Sequence, residues 1–172
     1  MNDSNLQYIQ INSGDYSCLS SDDASNFQNV LSVPIALDPE RLYEVAVWDV
    51  MFTNYQDPSS TNIKSLYVNS NLVDETYIGS SLANVIMFIP WAQLITNVAY
   101  GGTTHFTGAP FGAGTQCFIE TMMNRKWFPM VKMTSIKTVR ISLTLSTGEF
   151  IPLNTSGGAD FTSITLAIRE VI

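Results

Sequence analysis

The sequence predicts an all-β fold with two packed antiparallel sheets and little helix, and three features carry that reading. Short apolar runs recur along the 172-residue chain, alternating with period 2 or enriched in β-branched residues, and clusters of turn residues separate them. No segment sustains the 3.6-residue period of an amphipathic helix. No internal repeat, charge block or low-complexity linker interrupts the pattern, so residues 1–172 read as a single domain, with about the first five residues as an extended arm. Many short strands between turns imply a sandwich, a jelly roll or a barrel; alternation alone does not choose between them.

The expected strands follow in order. Leu6 to Ile11 alternates and stops at Asn12-Ser13-Gly14-Asp15. A short turn around Asp22 to Phe27 leads into Phe27 to Leu37, closed by Asp38-Pro39-Glu40, and Pro34 within it removes a ladder donor, which points to a sheet edge or a bulge. Leu42 to Phe52 is apolar on both sides, with Tyr43, Val45, Val47 and Asp49 on one face and Glu44, Ala46, Trp48 and Val50 on the other, as expected of a covered central strand. Ser65 to Val68, Asn84 to Ile89, Gln116 to Thr121, Lys126 to Val131, Ser135 to Leu145, Phe150 to Leu153 and Phe161 to Arg169 complete the set. Val45, Val47, Ile141, Leu143, Leu166 and Ile168 are the expected core. Ala92 to Thr115, rich in glycine, reads as a long connection of the kind that meets partners.

Composition narrows the function. Hydrophobic residues make up 45% of the chain and charged residues only 13%, about half the usual share of roughly 25%. A surface with few ions can be covered by neighbours at small desolvation cost, which suits a subunit that assembles. The net charge of −7 disfavours specific nucleic-acid binding. Five of the eight basic residues, Arg125, Lys126, Lys132, Lys137 and Arg140, fall in one stretch, and Thr76 to Ile119 holds no charged residue. The basic stretch reads either as a solvated strand face with a loop or as a patch that meets an acidic neighbour or DNA.

Catalytic chemistry finds little support. His105 is the single histidine, so any Ser-His or Cys-His mechanism must use it, and no acid lies near it in sequence. Asp22-Asp23 and Asp74-Glu75 are pairs without calcium-loop spacing. Cys18 and Cys117 fit neither a disulfide framework nor a zinc site. Gly101-Gly102 and the glycines from Gly108 to Gly114 lack the Lys-Ser/Thr of a phosphate loop. No catalytic residue, cofactor or metal site is expected, and the chain reads as a non-enzyme. Leu82 to Tyr100 approaches the roughly 20 residues of a membrane helix, but Pro90 and the polar Asn84, Gln93 and Asn97 argue against a span. The N-terminus lacks the basic and apolar regions of a secretory signal.

Three stretches stand out: Tyr43 to Phe52; Ser65 to Asp74 with Tyr77 to Ser80; and Ser135 to Leu143 followed by Thr147-Gly148, Ile151-Pro152-Leu153 and Ile164 to Arg169. Together they resemble the jelly-roll minor capsid (penton) proteins of Polinton-like elements, adintoviruses and virophage-like double-stranded DNA viruses. Their order and spacing match from Leu42 to Arg169. Ser80, where the family often has Asp, and Ser146-Thr147-Gly148, in place of a more acidic turn, depart from it.

The resemblance implies a jelly roll, no catalytic residues, and a penton subunit of the icosahedral shell. That subunit would be made inside the host cell, not secreted, and located in the virion. It would form a homo-oligomeric ring, a pentamer, beside the major capsid protein of the same virus. The basic stretch and the aromatics Trp91, Tyr100, Phe106 and Phe111 are its candidate assembly interface. The competing reading is a carbohydrate- or ligand-binding sandwich, such as a virion attachment module, using Trp48, Trp91 or Trp127 as a stacking platform.

Overall fold

A computed structural model of the chain describes residues 6–14, 24–53, 65–78, 81–90, 103–107, 116–120, 126–151 and 162–171. Among them there is no helix. Twelve strands form in chain order: β1 (Gln7–Asn12), β2 (Asn26–Ala36), β3 (Leu42–Thr53), β4 (Ser65–Ser70), β5 (Thr76–Ile78), β6 (Ser81–Ala83), β7 (Val85–Pro90), β8 (Thr103–Thr107), β9 (Gln116–Glu120), β10 (Phe128–Pro129), β11 (Ser135–Leu145) and β12 (Thr162–Val171).

The pairing is nested. β1 pairs β12, β2 pairs β11, β3 pairs β9 and β4 pairs β7, all antiparallel. A long hairpin of four strand pairs, rolled so that β12 also pairs β3 and β11 also pairs β4, is the jelly roll. It yields a six-stranded sheet in the order β1-β12-β3-β9-β8, with β10 against the start of β3, and a four-stranded sheet in the order β2-β11-β4-β7. The β5-β6 hairpin lies in sequence between β4 and β7.

Alternation builds the core between these sheets. Ile9 and Ile11 of β1, Ile136, Val139, Ile141, Leu143 and Leu145 of β11, and Ile164, Leu166 and Ile168 of β12 are buried in one cluster. All six expected core residues belong to it. Each such side chain contributes about 1.5–3 kcal/mol on burial.

Among the described residues three ladders carry register shifts, one of them between Val68 and Asn69 where β4 meets β7, and the other two change the expected pattern. Leu166 pairs Val47 and Thr165 pairs Asp49, so Trp48 is an extra residue on β3. The inward parity therefore shifts, and Val50 joins Val45 and Val47 in the core instead of facing away from them. On β2, Ile35 pairs Ile136 but Val30 pairs Thr138. Residues 31–34, with Pro34 among them, thus bulge opposite Lys137, and β2 is an edge strand. Both expectations for Pro34 hold, because an edge and a bulge each remove the need for its missing N–H.

Other differences are local. Thr103–Thr107 forms β8 on β9, where the sequence suggests only a long connection. Lys126 to Val131 contributes just Phe128–Pro129 as strand, with a bridge from Met130 to Val73. The turn expected around Asp22 to Phe27 ends sooner: Ala24 and Ser25 are turn and Asn26 already opens β2. After β11 the chain turns at Ser146-Thr147-Gly148, where Gly148 has φ 88 and its N–H donates to the Leu145 carbonyl at 2.8 Å. A positive φ favours glycine. Phe150 then bridges Thr144.

Candidate functional site

With the inner faces spent on the core, any recognition must use outer faces, edges or ends. Across the outer face of the six-stranded sheet, Tyr8, Ala167 and Ala46 stand in one row. Both alanines are fully buried. Tyr8 meets Trp48 edge-on at 4.9 Å, a favoured aromatic geometry. In the next outward row, Nε and Nη2 of Arg169 both donate to Oε2 of Glu44, at 2.9 and 2.6 Å. The Arg169 guanidinium also lies 4.1 Å over the Trp127 ring, a cation–π contact. Trp48 and Trp127, the stacking platforms of the competing sequence reading, are thus engaged within the protein.

One end of this sheet carries charge and apolar surface together. Arg41 pairs with Glu170 and, at 3.3 Å, with Asp38. The hydrogen bond and charge of Glu170 raise the Arg41 pKa above its ordinary value, and Asp38 adds to it. Leu42 and Val171, paired in register, stay 62% and 42% exposed. Leu42 and Val171 together suit contact with a neighbour. Val33, in the β2 bulge of the other sheet, is 76% exposed.

The outer face of the four-stranded sheet is a trough of about 430 Å³. Asn69 and Tyr67 of β4 form its floor with Ser142 and Thr144 of β11. Leu82 of β6, Phe150 and the turn at Ser146 to Gly148 stand around it. Tyr67 packs on Phe88 at 5.6 Å between ring centroids. Asn69 Nδ2 donates to the Ser142 carbonyl at 3.2 Å, to Ser142 Oγ at 3.3 Å and to Thr144 Oγ1 at 2.9 Å. A carbonyl only accepts, so the amide nitrogen must face it, and the buried Asn69 Oδ1 is left without a partner. A second hollow of about 290 Å³ shares Asn69, Asn84, Ser142 and Phe150 with the first and continues to Asn26, Asn71 and Arg140.

The candidate interface residues from the sequence are distributed. Lys126 lies beside β10, with its ammonium 5.3 Å from the Phe128 ring centroid. Lys132 is exposed in the segment that crosses between the sheets. Lys137 and Arg140 are exposed on β11. Arg140 donates from its guanidinium to Asn26 Oδ1, and its backbone N–H donates to Asn71 Oδ1. Phe106 occupies β8 opposite Cys117, and His105 sits opposite Phe118. Arg125, Trp91, Tyr100 and Phe111 lie outside the described residues.

Among the described residues no group of three or more His, Cys, Asp or Glu could hold a metal, and no helix is long and apolar enough to cross a membrane. The sequence signals missed Asn69, Thr144 and Phe150. Asn69 falls just past the expected strand end, and only the pairing of β4 with β11 brings it under Ser142 and Thr144. No protein-family model matches the chain, and no curated protein matches it. The fold and surfaces define a jelly-roll β-sandwich with one tied outer face and one open, uncharged trough.

Proposed function

We propose that this chain is a structural subunit of an icosahedral viral shell, a penton or minor capsid protein without catalytic activity that closes into a homo-oligomeric ring at the vertices. The observation that carries the reading is the nested jelly-roll pairing of β1 with β12, β2 with β11, β3 with β9 and β4 with β7, an arrangement frequent in capsid proteins. Fold alone does not give function. The low charge content and the exposed Val33, Leu42 and Val171 add support, because they leave surface that a neighbour can bury. The sequence resemblance to penton proteins supplies the ring size of five and the major capsid protein as second partner.

A closed ring needs two different complementary surfaces on each subunit. We assign one to the uncharged stretch from Thr76 to Ile119 and the other to the basic stretch from Arg125 to Arg140. Charged rims act mainly on association rate and salt response. Co-expression with the major capsid protein, followed by particle reconstruction, tests the reading: this chain is expected as a closed ring on a five-fold axis. Density at any other position, or incorporation that ignores salt and charge-removing changes at Lys126 and Lys132, overturns the respective part.

A further inference from the structure

We propose that the trough on the outer face of the four-stranded sheet is a binding site for a neutral glycan. Its volume of about 430 Å³ falls within the roughly 300–1,000 Å³ of small-molecule sites. None of the described side chains lining it is charged. An ionic ligand would shed hydration there without a counter-ion, and the chain's net charge of −7 repels acidic ligands further. A wholly apolar ligand would cover Asn69, Ser142 and Thr144 without giving them partners, at a cost of similar kind.

What remains is a neutral molecule with many hydroxyls and one apolar face, which is a pyranose. The floor matches it. The Ser142 and Thr144 hydroxyls each accept from Asn69 Nδ2, so each keeps its own proton to donate outward. The walls match as well: Phe150 and Leu82 are 50% and 51% exposed beside the polar floor, and aromatic and aliphatic faces cover the C–H side of a sugar ring. The adjoining hollow, reached past Asn69 and Phe150, adds Asn26, Asn71 and the cation Arg140 as further hydrogen-bonding groups, so an oligosaccharide fits better than a single sugar.

The inference does not depend on the assembly proposal, because it concerns the single subunit. The test titrates the full chain, unassembled, with lactose, maltotriose, mannotriose and diacetylchitobiose, and with sialyllactose as the acidic comparison. At least one neutral probe is expected to saturate the protein by about 10 mM, with little change in affinity as salt rises to about 1 M. Thr144→Val removes one hydroxyl at constant shape, and Phe150→Ala removes a wall that is half exposed. Each should weaken binding by about tenfold; Thr144→Val also takes an acceptor from Asn69 Nδ2 and lowers the melting temperature, whereas Phe150→Ala leaves it near that of the parent. The proposal fails if no neutral probe binds, if only sialyllactose binds, or if binding survives both substitutions.

Discussion

On the outer face of the six-stranded sheet, Ala46 and Ala167 are fully buried in a row beside Tyr8, and the Glu44–Arg169–Trp127 stack lies next to them. On the outer face of the four-stranded sheet, the equivalent rows carry Tyr67 beside Thr144 and Asn69 beside Ser142, and the space above them is a trough. Both faces consist of small, polar and aromatic residues. The difference lies in where the long side chains go. On the first face, aromatic and guanidinium groups near small central residues engage one another. On the second, the large groups stand beside the polar floor and leave it open. Among the described residues, one face is therefore tied together by its own side chains, and the other stands open.

The contrast is exposed to mutation. Ala167→Leu forces a larger side chain under a closed cover and should destabilise by about 1–3 kcal/mol, whereas Ala83→Leu at the open trough should stay within about 0.5 kcal/mol. Urea unfolding of the two variants reads this, and equal losses would erase the distinction between covered and open faces.

A smaller effect is expected at the rim of the trough. Gly148 has φ 88 and no atom within 4 Å of where a Cβ would stand, so Gly148→Ala should cost about 1–2 kcal/mol through backbone conformation alone. A cost near zero would mean that the turn rearranges freely and is no fixed rim.

The smallest effect concerns two arginines. Arg169→Met keeps the packing stem but leaves Glu44 and Trp127 without their cation, and should cost about 1 kcal/mol. Arg140→Met, on the open side, should stay within about 0.5 kcal/mol. Thermal melts of both variants at low and high salt sharpen the comparison, since only the first loss should shrink as salt screens the pair.

Much of the fold is legible in the sequence, and the gaps have physical causes. Ser135 to Leu145 forms β11 with the expected bounds because alternation runs unbroken from Val139 to Leu145 and a glycine turn ends it. β3 also forms where expected, yet Val50 faces the opposite way from the alternation reading. A period-2 count cannot register the extra residue at Trp48, which exists only relative to β12. β8 is hidden for a related reason: Thr103 to Thr107 looks like loop until β9 offers its edge. The open trough was less legible still. Asn69 reads locally as a turn residue, and its placement between Ser142 and Thr144 comes from a partner strand more than seventy positions away.

The position of β12 has a consequence for how the molecule is made. It comes last of the twelve strands among the described residues, yet it sits between β1 and β3 and is hydrogen-bonded to both. Until it emerges from the ribosome, β1 has no partner in its sheet and β3 lacks one of its two long edges. At roughly 5–20 residues per second, β1 waits on the order of ten seconds with Ile9 and Ile11, both core residues, lacking their final cover. Closure of the six-stranded sheet must therefore follow synthesis of its last strand. Contacts between such distant parts of a chain also form slowly. Chaperone dependence during synthesis is the expected cost of placing this late strand between β1 and β3.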